Sequence, residues 1–166
     1  APLTHAAGPV TMAALAMGAT VVVLPTFDAE AVMTAIQEHK VTHMFLPPTA
    51  LYAMLAHPKV KDFDYSSLKY FLLAGSPVAG EKLKQAVEIF GPCMCQSYGQ
   101  TEFHLVATWL SPDVVAAAAR GEHPERLTSC GEATYSVRVE LMDDDGNILP
   151  TGEVGESDLL DARDRQ

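Results

Sequence analysis

The chain has 166 residues, 48% of them hydrophobic, enough for one domain with its own core and too short for a large multidomain enzyme. A net charge of −10, with eleven Lys and Arg dispersed along the sequence, excludes a nucleic-acid surface, which requires clustered basic side chains. No apolar run approaches the roughly 20 residues that span a bilayer, and the opening residues have no basic segment leading into an apolar one, so a soluble cytoplasmic protein without a membrane span is expected.

In chain order, small residues at 10–17 predict a helix that ends at Gly18, where a helix C-terminus favours φ > 0. The β-branched run at 20–24 predicts a first strand. Asp28 is positioned to cap a helix whose Val32, Ala35 and Ile36 recur at helical spacing up to Lys40. Residues 41–46 predict a second strand, stopped by Pro47 and Pro48 before a helix carrying Leu51, Met54 and Leu55 inward. After a charged loop at 59–67, the continuous apolar run 70–73 predicts a third strand, buried on both faces. Leu83, Ala86, Val87 and Phe90 then mark a covering helix closed by Gly91 and Pro92. A fourth strand is predicted at 93–97 and a helix at 113–120. The alternating stretch 137–142 is expected to return through the turn at 143–147 to Ile148 and Leu149 as a hairpin. The expected fold is α/β, a parallel sheet with helices on both faces plus a C-terminal β-hairpin. The expected division is a nucleotide-binding subdomain at 1–135, a hairpin at 136–156 and a polar tail at 157–166.

In an open parallel sheet, ligands bind beyond the carboxyl ends of the strands, and three notable loops fall there. They are Pro47-Pro48-Thr49, Ala74-Gly75-Ser76-Pro77 and Tyr98-Gly99-Gln100-Thr101-Glu102. If the third and fourth strands are neighbours, the last two loops face each other across a crevice. Gly75 and Ser76 lack bulk, so a flat adenine ring can approach their backbone while Tyr98 offers a π face. Gln96 is placed to pair with an exocyclic amine, Thr101 to donate to a phosphate oxygen, and Glu102 to hold Mg²⁺. Each pair alone has a simpler explanation, Tyr-Gly as a turn and Thr-Glu as a helix cap; their combination with the small-residue loop is what points to a nucleotide phosphate site.

Tyr98 through Glu102, preceded by Ala74 through Pro77, resembles the Tyr-Gly-x-Thr-Glu motif and upstream loop of the adenylate-forming enzymes, which include acyl-CoA synthetases. Pro2-Leu3-Thr4-His5-Ala6-Ala7-Gly8 is similar to that family's Pro-Leu-Phe-His-x-x-Gly segment, with Thr4 in place of its aromatic residue. Leu46 through Thr49, Ser129-Cys130-Gly131 and the stretch from Asp144 to Glu156 resemble further family segments in the same order. The resemblance implies that Gly75, Ser76 and Pro77 line the adenine pocket, that Tyr98 and Gly99 face the base, and that Gln96 and Ser97 read its edge. It further implies that Thr101 holds the AMP phosphate, Glu102 the Mg²⁺, and His5 the place where carboxylate meets phosphate.

The implied activity is that of an ATP-dependent ligase. A carboxylic acid, expected to be fatty because Thr4, Ala6 and Ala74 leave room for an apolar chain, becomes an acyl-AMP and passes to the co-substrate coenzyme A. The family's phosphate loop is expected before Pro2, and its ribose-binding aspartate and C-terminal lysine domain after Glu156. The piece alone is therefore expected to be inactive and, with open sheet edges, to self-associate. The alternative is a noncatalytic nucleotide-binding or interaction module built on a remnant of this fold. Cys93, Cys95 and Cys130 lack zinc-ligand spacing and are read as reduced thiols, and Asp143-Asp144-Asp145 as a solvated turn. His39, His43, His57 and His123 are read as surface groups, whereas His104 falls close to the expected phosphate loop.

Overall fold

Local signals place the helices. The computed structural model describes residues 3–4, 6–101, 106–135 and 137–161. Helix α1 (Ala7–Ala16) closes where Gly18 adopts φ +79°, its amide donating to Leu15 O at 2.9 Å while Ala19 N–H reaches Ala14 O at 3.0 Å. These bonds occupy carbonyls that the last helical turn leaves unpaired. Helix α2 (Ala29–His39) is capped as expected, Asp28 Oδ1 accepting from Ala31 N–H at 2.8 Å. Helices α3 (Pro48–Leu55) and α5 (Pro112–Ala119) begin with Pro, where the missing N–H costs nothing, and α4 (Gly80–Phe90) ends at Gly91, φ +87°.

Strands β1 (His43–Leu46), β2 (Tyr70–Leu73) and β3 (Met94–Tyr98) run parallel and adjacent; β4 (Thr108–Leu110) and β5 (Glu132–Ala133) extend the sheet antiparallel, in the order β1-β2-β3-β4-β5. A separate two-stranded sheet joins β6 (Val137–Met142) antiparallel to β7 (Glu156–Asp161). The architecture is mixed α/β, as expected. Leu46, Phe71, Leu73, Met94 and Leu110 share one face of the main sheet and pack with Met33, Leu51, Met54, Leu83 and Val115 from the helices. Burying each such side chain contributes about 1.5–3 kcal/mol. On the other face His43 stacks on Tyr70 with centroids 5.0 Å apart, and Tyr70 is 41% exposed. The charged loop before β2 also contributes to the core: Tyr65 is buried, its hydroxyl donates to Val60 O at 2.6 Å, and its ring meets Phe90 edge-on.

Three expectations are corrected. Residues 20–24 form no strand: no described strand pairs with them and Val23 is 59% exposed, so their backbone has no ladder to join. The return strand of the hairpin is β7, not Ile148 and Leu149; Ile148 makes only an isolated bridge to Met142. The chain turns back later because Gly155 lets it cross tightly, a Cβ there falling 2.5 Å from both Leu149 Cδ1 and Met142 O. Part of the polar stretch expected to be a tail is therefore strand. Finally, β4 and β5 have no counterpart in the sequence reading; they are three and two residues long, too short to leave a periodic signal. Among the described residues, no helix is long and apolar enough to cross a membrane.

Candidate functional site

The register of the parallel strands sets the site's frame. Leu46 pairs with Leu73 and Leu73 with Gln96, so the chain leaves β1, β2 and β3 at a common height on one edge of the sheet. The loops after β2 and β3 are therefore neighbours at the strands' carboxyl ends, the side on which open parallel sheets bind ligands. Gly75 in the first loop has φ +93° and is exposed, and a Cβ there would meet nothing within 4 Å. Its conformation calls for glycine, while the space beside it stays open to a flat ligand. Ser76 and Pro77 are exposed as well. The loop's far end is pinned by a residue the sequence did not single out: Tyr52 of α3, whose phenol oxygen accepts from Ala79 N–H at 3.0 Å.

On the β3 side, Tyr98 is half-buried and held at both ends. Its amide lies 3.4 Å from Thr108 Oγ1, and its phenol oxygen accepts from Gln100 Nε2 at 2.9 Å and lies 2.7 Å from Ser157 Oγ. Thr108, 3% exposed, gives its own hydroxyl proton to Cys130 O at 2.6 Å, tying β3 to the turn before β5. Gly131 follows with φ +97°, and its backbone passes so close to Trp109 C and O that no Cβ fits between them. Neither Thr108 nor Ser157 stands out in the sequence, because each acts through a partner 22 or 59 residues away.

Gln96 and Ser97 are both 8% exposed, but strand alternation points them to opposite faces: Gln96 lies opposite Leu110 and Ser97 opposite Trp109. Only one of them can face a ring lying on the Tyr98 side of the sheet, and alternation makes it Gln96. Among the described residues no partner meets the buried Ser97 hydroxyl. Gly99 is half-buried and Thr101 exposed. His5, Glu102 and His104 lie outside the described residues.

Several further titratable groups have partners of their own. His57 lies 3.6 Å from Glu30 of α2, 27 residues earlier, and His123 lies 3.2 Å from Glu125, two residues on. Burial pushes the Cys93 thiol up to about 11 and the Cys95 thiol up to about 12, so neither is a nucleophile near neutrality; Cys130 is exposed. Hydrogen bonds from Asn147, then from the amides of Asp145 and Gly146, hold the Asp143 carboxyl below its ordinary range, so this carboxylate is engaged in closing its own turn.

Known proteins share this frame. The model of the AMP-binding enzyme family matches residues 1–157. A medium/long-chain-fatty-acid–CoA ligase of Mycobacterium tuberculosis is 38% identical over 156 residues, covering 93% of this chain and 26% of that protein. The amide bond synthetase McbA of Marinactinospora thermotolerans superposes with a TM-score of 0.87 at 35% identity, over 97% of this chain and 32% of the other. An O-succinylbenzoate coenzyme A synthetase of Bacillus subtilis, solved with AMP, superposes at 0.80 with 27% identity, over 97% of this chain and 31% of the other. The chain thus spans between about a quarter and a third of the length of these relatives.

Proposed function

The chain belongs to the AMP-binding enzyme family, and from that premise we propose that it forms the adenine wall of an ATP-dependent ligase that activates a carboxylic acid as its acyl-AMP and passes the acyl group to coenzyme A. The observation that supports this reading is the pairing of β2 with β3, because the Gly75 loop follows the first strand and Tyr98, anchored at its phenol, ends the second. An adenine ring lies between these surfaces, against Gly75, Ser76 and Pro77 on one side and Tyr98 and Gly99 on the other. Gln96, on the same sheet face as Tyr98, reads the base edge.

Thr101 donates to the α-phosphate at the moment the acid's carboxylate attacks it and pyrophosphate departs. Glu102, next in sequence, would supply a carboxylate of the kind that holds Mg²⁺ together with substrate phosphates, and a cation held there would offset phosphoryl charge. By resemblance to the family's Pro-Leu-Phe-His-x-x-Gly segment, His5 is the proposed residue for the junction of acid and phosphate. Catalysis in this scheme is positioning plus electrostatic stabilisation, which suits a site built from a glycine loop, a hydroxyl and a carboxylate.

A fatty acid is the proposed substrate, supported by the 38% identity to a fatty-acid–CoA ligase, and the proposed compartment is the cytoplasm. Because the relatives are three to four times longer, the full reaction is proposed for a longer protein; these 166 residues alone bind nucleotide without turnover. Calorimetric titration of AMP into the protein tests the reading. Stacking on one aromatic ring contributes about 1–3 kcal/mol, so Tyr98→Ala should weaken binding by about 5- to 150-fold. Equal affinity in both proteins overturns the placement of adenine on Tyr98.

A further inference from the structure

We propose that Ser157 is a positioning residue for the adenine-stacking ring of Tyr98, a role that rests on the nucleotide reading above. Ser157 is half-buried on β7, opposite Leu141 of β6, and its Oγ lies 2.7 Å from the Tyr98 phenol oxygen across 59 residues of sequence. On the site side, Gln100 Nε2 donates to the same phenol oxygen at 2.9 Å. Gln100 lies just beyond β3, two residues from Tyr98, so its bond ties the ring only to the adjacent segment of chain. Ser157 anchors it to a distant segment, β7, which is paired along its whole length with β6.

A tyrosine side chain has two principal torsions. The backbone of Tyr98 is held by β3 and its junction with Thr108, and a second anchor at the far end of the ring restricts both torsions together. The ring then meets adenine with its plane already set, and the ordering cost is not taken from binding. The β6–β7 hairpin thereby helps to aim the aromatic ring of Tyr98. The residue belongs to a stretch that reads in the sequence as polar and without a role; a hydroxyl at this point of a strand is explained by its partner.

The test is a double-mutant cycle read in AMP affinity by calorimetry, with Ser157→Ala, Tyr98→Phe, the double variant and Ser157→Thr. One neutral hydrogen bond is worth about a 2- to 10-fold change in an equilibrium constant, and Ser157→Ala should weaken AMP by about that factor. Tyr98→Phe keeps the ring and loses the anchor, so it should match Ser157→Ala, and the double variant should be no weaker than either single one. Ser157→Thr, which retains the hydroxyl, should bind as wild type. The melting midpoint of Ser157→Ala should stay within about 2 °C, as for other substitutions of partly exposed groups. A drop in melting temperature with unchanged AMP affinity, or fully additive losses in the cycle, would show a hairpin-docking contact and overturn the proposal while leaving the nucleotide reading intact. Failure of wild type to bind AMP overturns the nucleotide reading, and this role with it.

Discussion

Residues 20–24 and β2 are both short apolar runs, and by intrinsic preference the first is the better strand, with three consecutive valines after a threonine. Only the second is one. Tyr70 N–H reaches Thr42 O at 3.1 Å and Phe71 N–H reaches Cys93 O at 2.7 Å, so β2 has a parallel partner on each side, and Phe71 is fully buried beneath the helices. Val22 and Val23, by contrast, are 39% and 59% exposed, and no described strand lies alongside them. The difference teaches that β-propensity measures how well a side chain suits a pleated, half-buried surface, whereas a strand exists only where neighbours supply the ladder.

Hydrogen exchange gives the widest contrast between the two runs. Amides of Phe71, Leu72 and Leu73 should open only with the global fold and exchange at least roughly 10³-fold slower, relative to intrinsic rates, than those at 21–24. Comparable protection in both would show that residues 20–24 are paired in solution and would break the contrast. Truncation compares them in energy. Phe71→Ala, which empties a site packed against Phe90 with ring centroids 5.4 Å apart, should cost about 3–5 kcal/mol in urea unfolding, and Val23→Ala about 0.5 kcal/mol or less. A large cost at Val23 would mean that its side chain is covered.

The smallest effect concerns how β2 is delivered to its partners. The loop before it is tied to α2 and β1 by Lys40–Asp64 at 3.0 Å, Asp64 N–H to Gln37 Oε1 at 2.9 Å and Ser67 Oγ to Val41 O at 2.9 Å. Hydrogen bonds from Ser66, then from Lys40, hold the Asp64 carboxyl well below its ordinary range. A carboxyl depressed on folding stabilises the fold above its unfolded value and loses that contribution as the pH falls through the folded one. Asp64→Asn should therefore lower the melting temperature slightly at pH 6, with the gap to wild type closing as acid titrates the wild-type carboxylate. Both groups are exposed, so the gap is small; a gap that widens in acid would contradict the assignment.

Much of the candidate site is legible in the sequence. The loops after 70–73 and 93–97 combine small residues, an aromatic ring, a hydroxyl and a carboxylate, and the adjacency of their strands follows from consecutive strands in a parallel sheet. What escapes the sequence is the support of those loops: Tyr52 on Ala79, Thr108 on Cys130 and Ser157 on Tyr98. The opposite orientation of Gln96 and Ser97 was open to the sequence through strand alternation alone, yet what it means for the ring requires knowing which face Tyr98 shares.

By itself, the sequence determined the helix caps at Asp28 and Gly18, the positions of β1, β2 and β3, and the motif order that identifies the family, because caps, periodicity and turn chemistry act within a few residues. The tertiary structure alone decided that no described strand pairs with 20–24, that β7 rather than Ile148 and Leu149 closes the hairpin, and that a serine from that hairpin reaches the Tyr98 phenol. Each of these depends on which distant segments meet, and hydrogen bonding and burial settle that only once the chain has closed around its core.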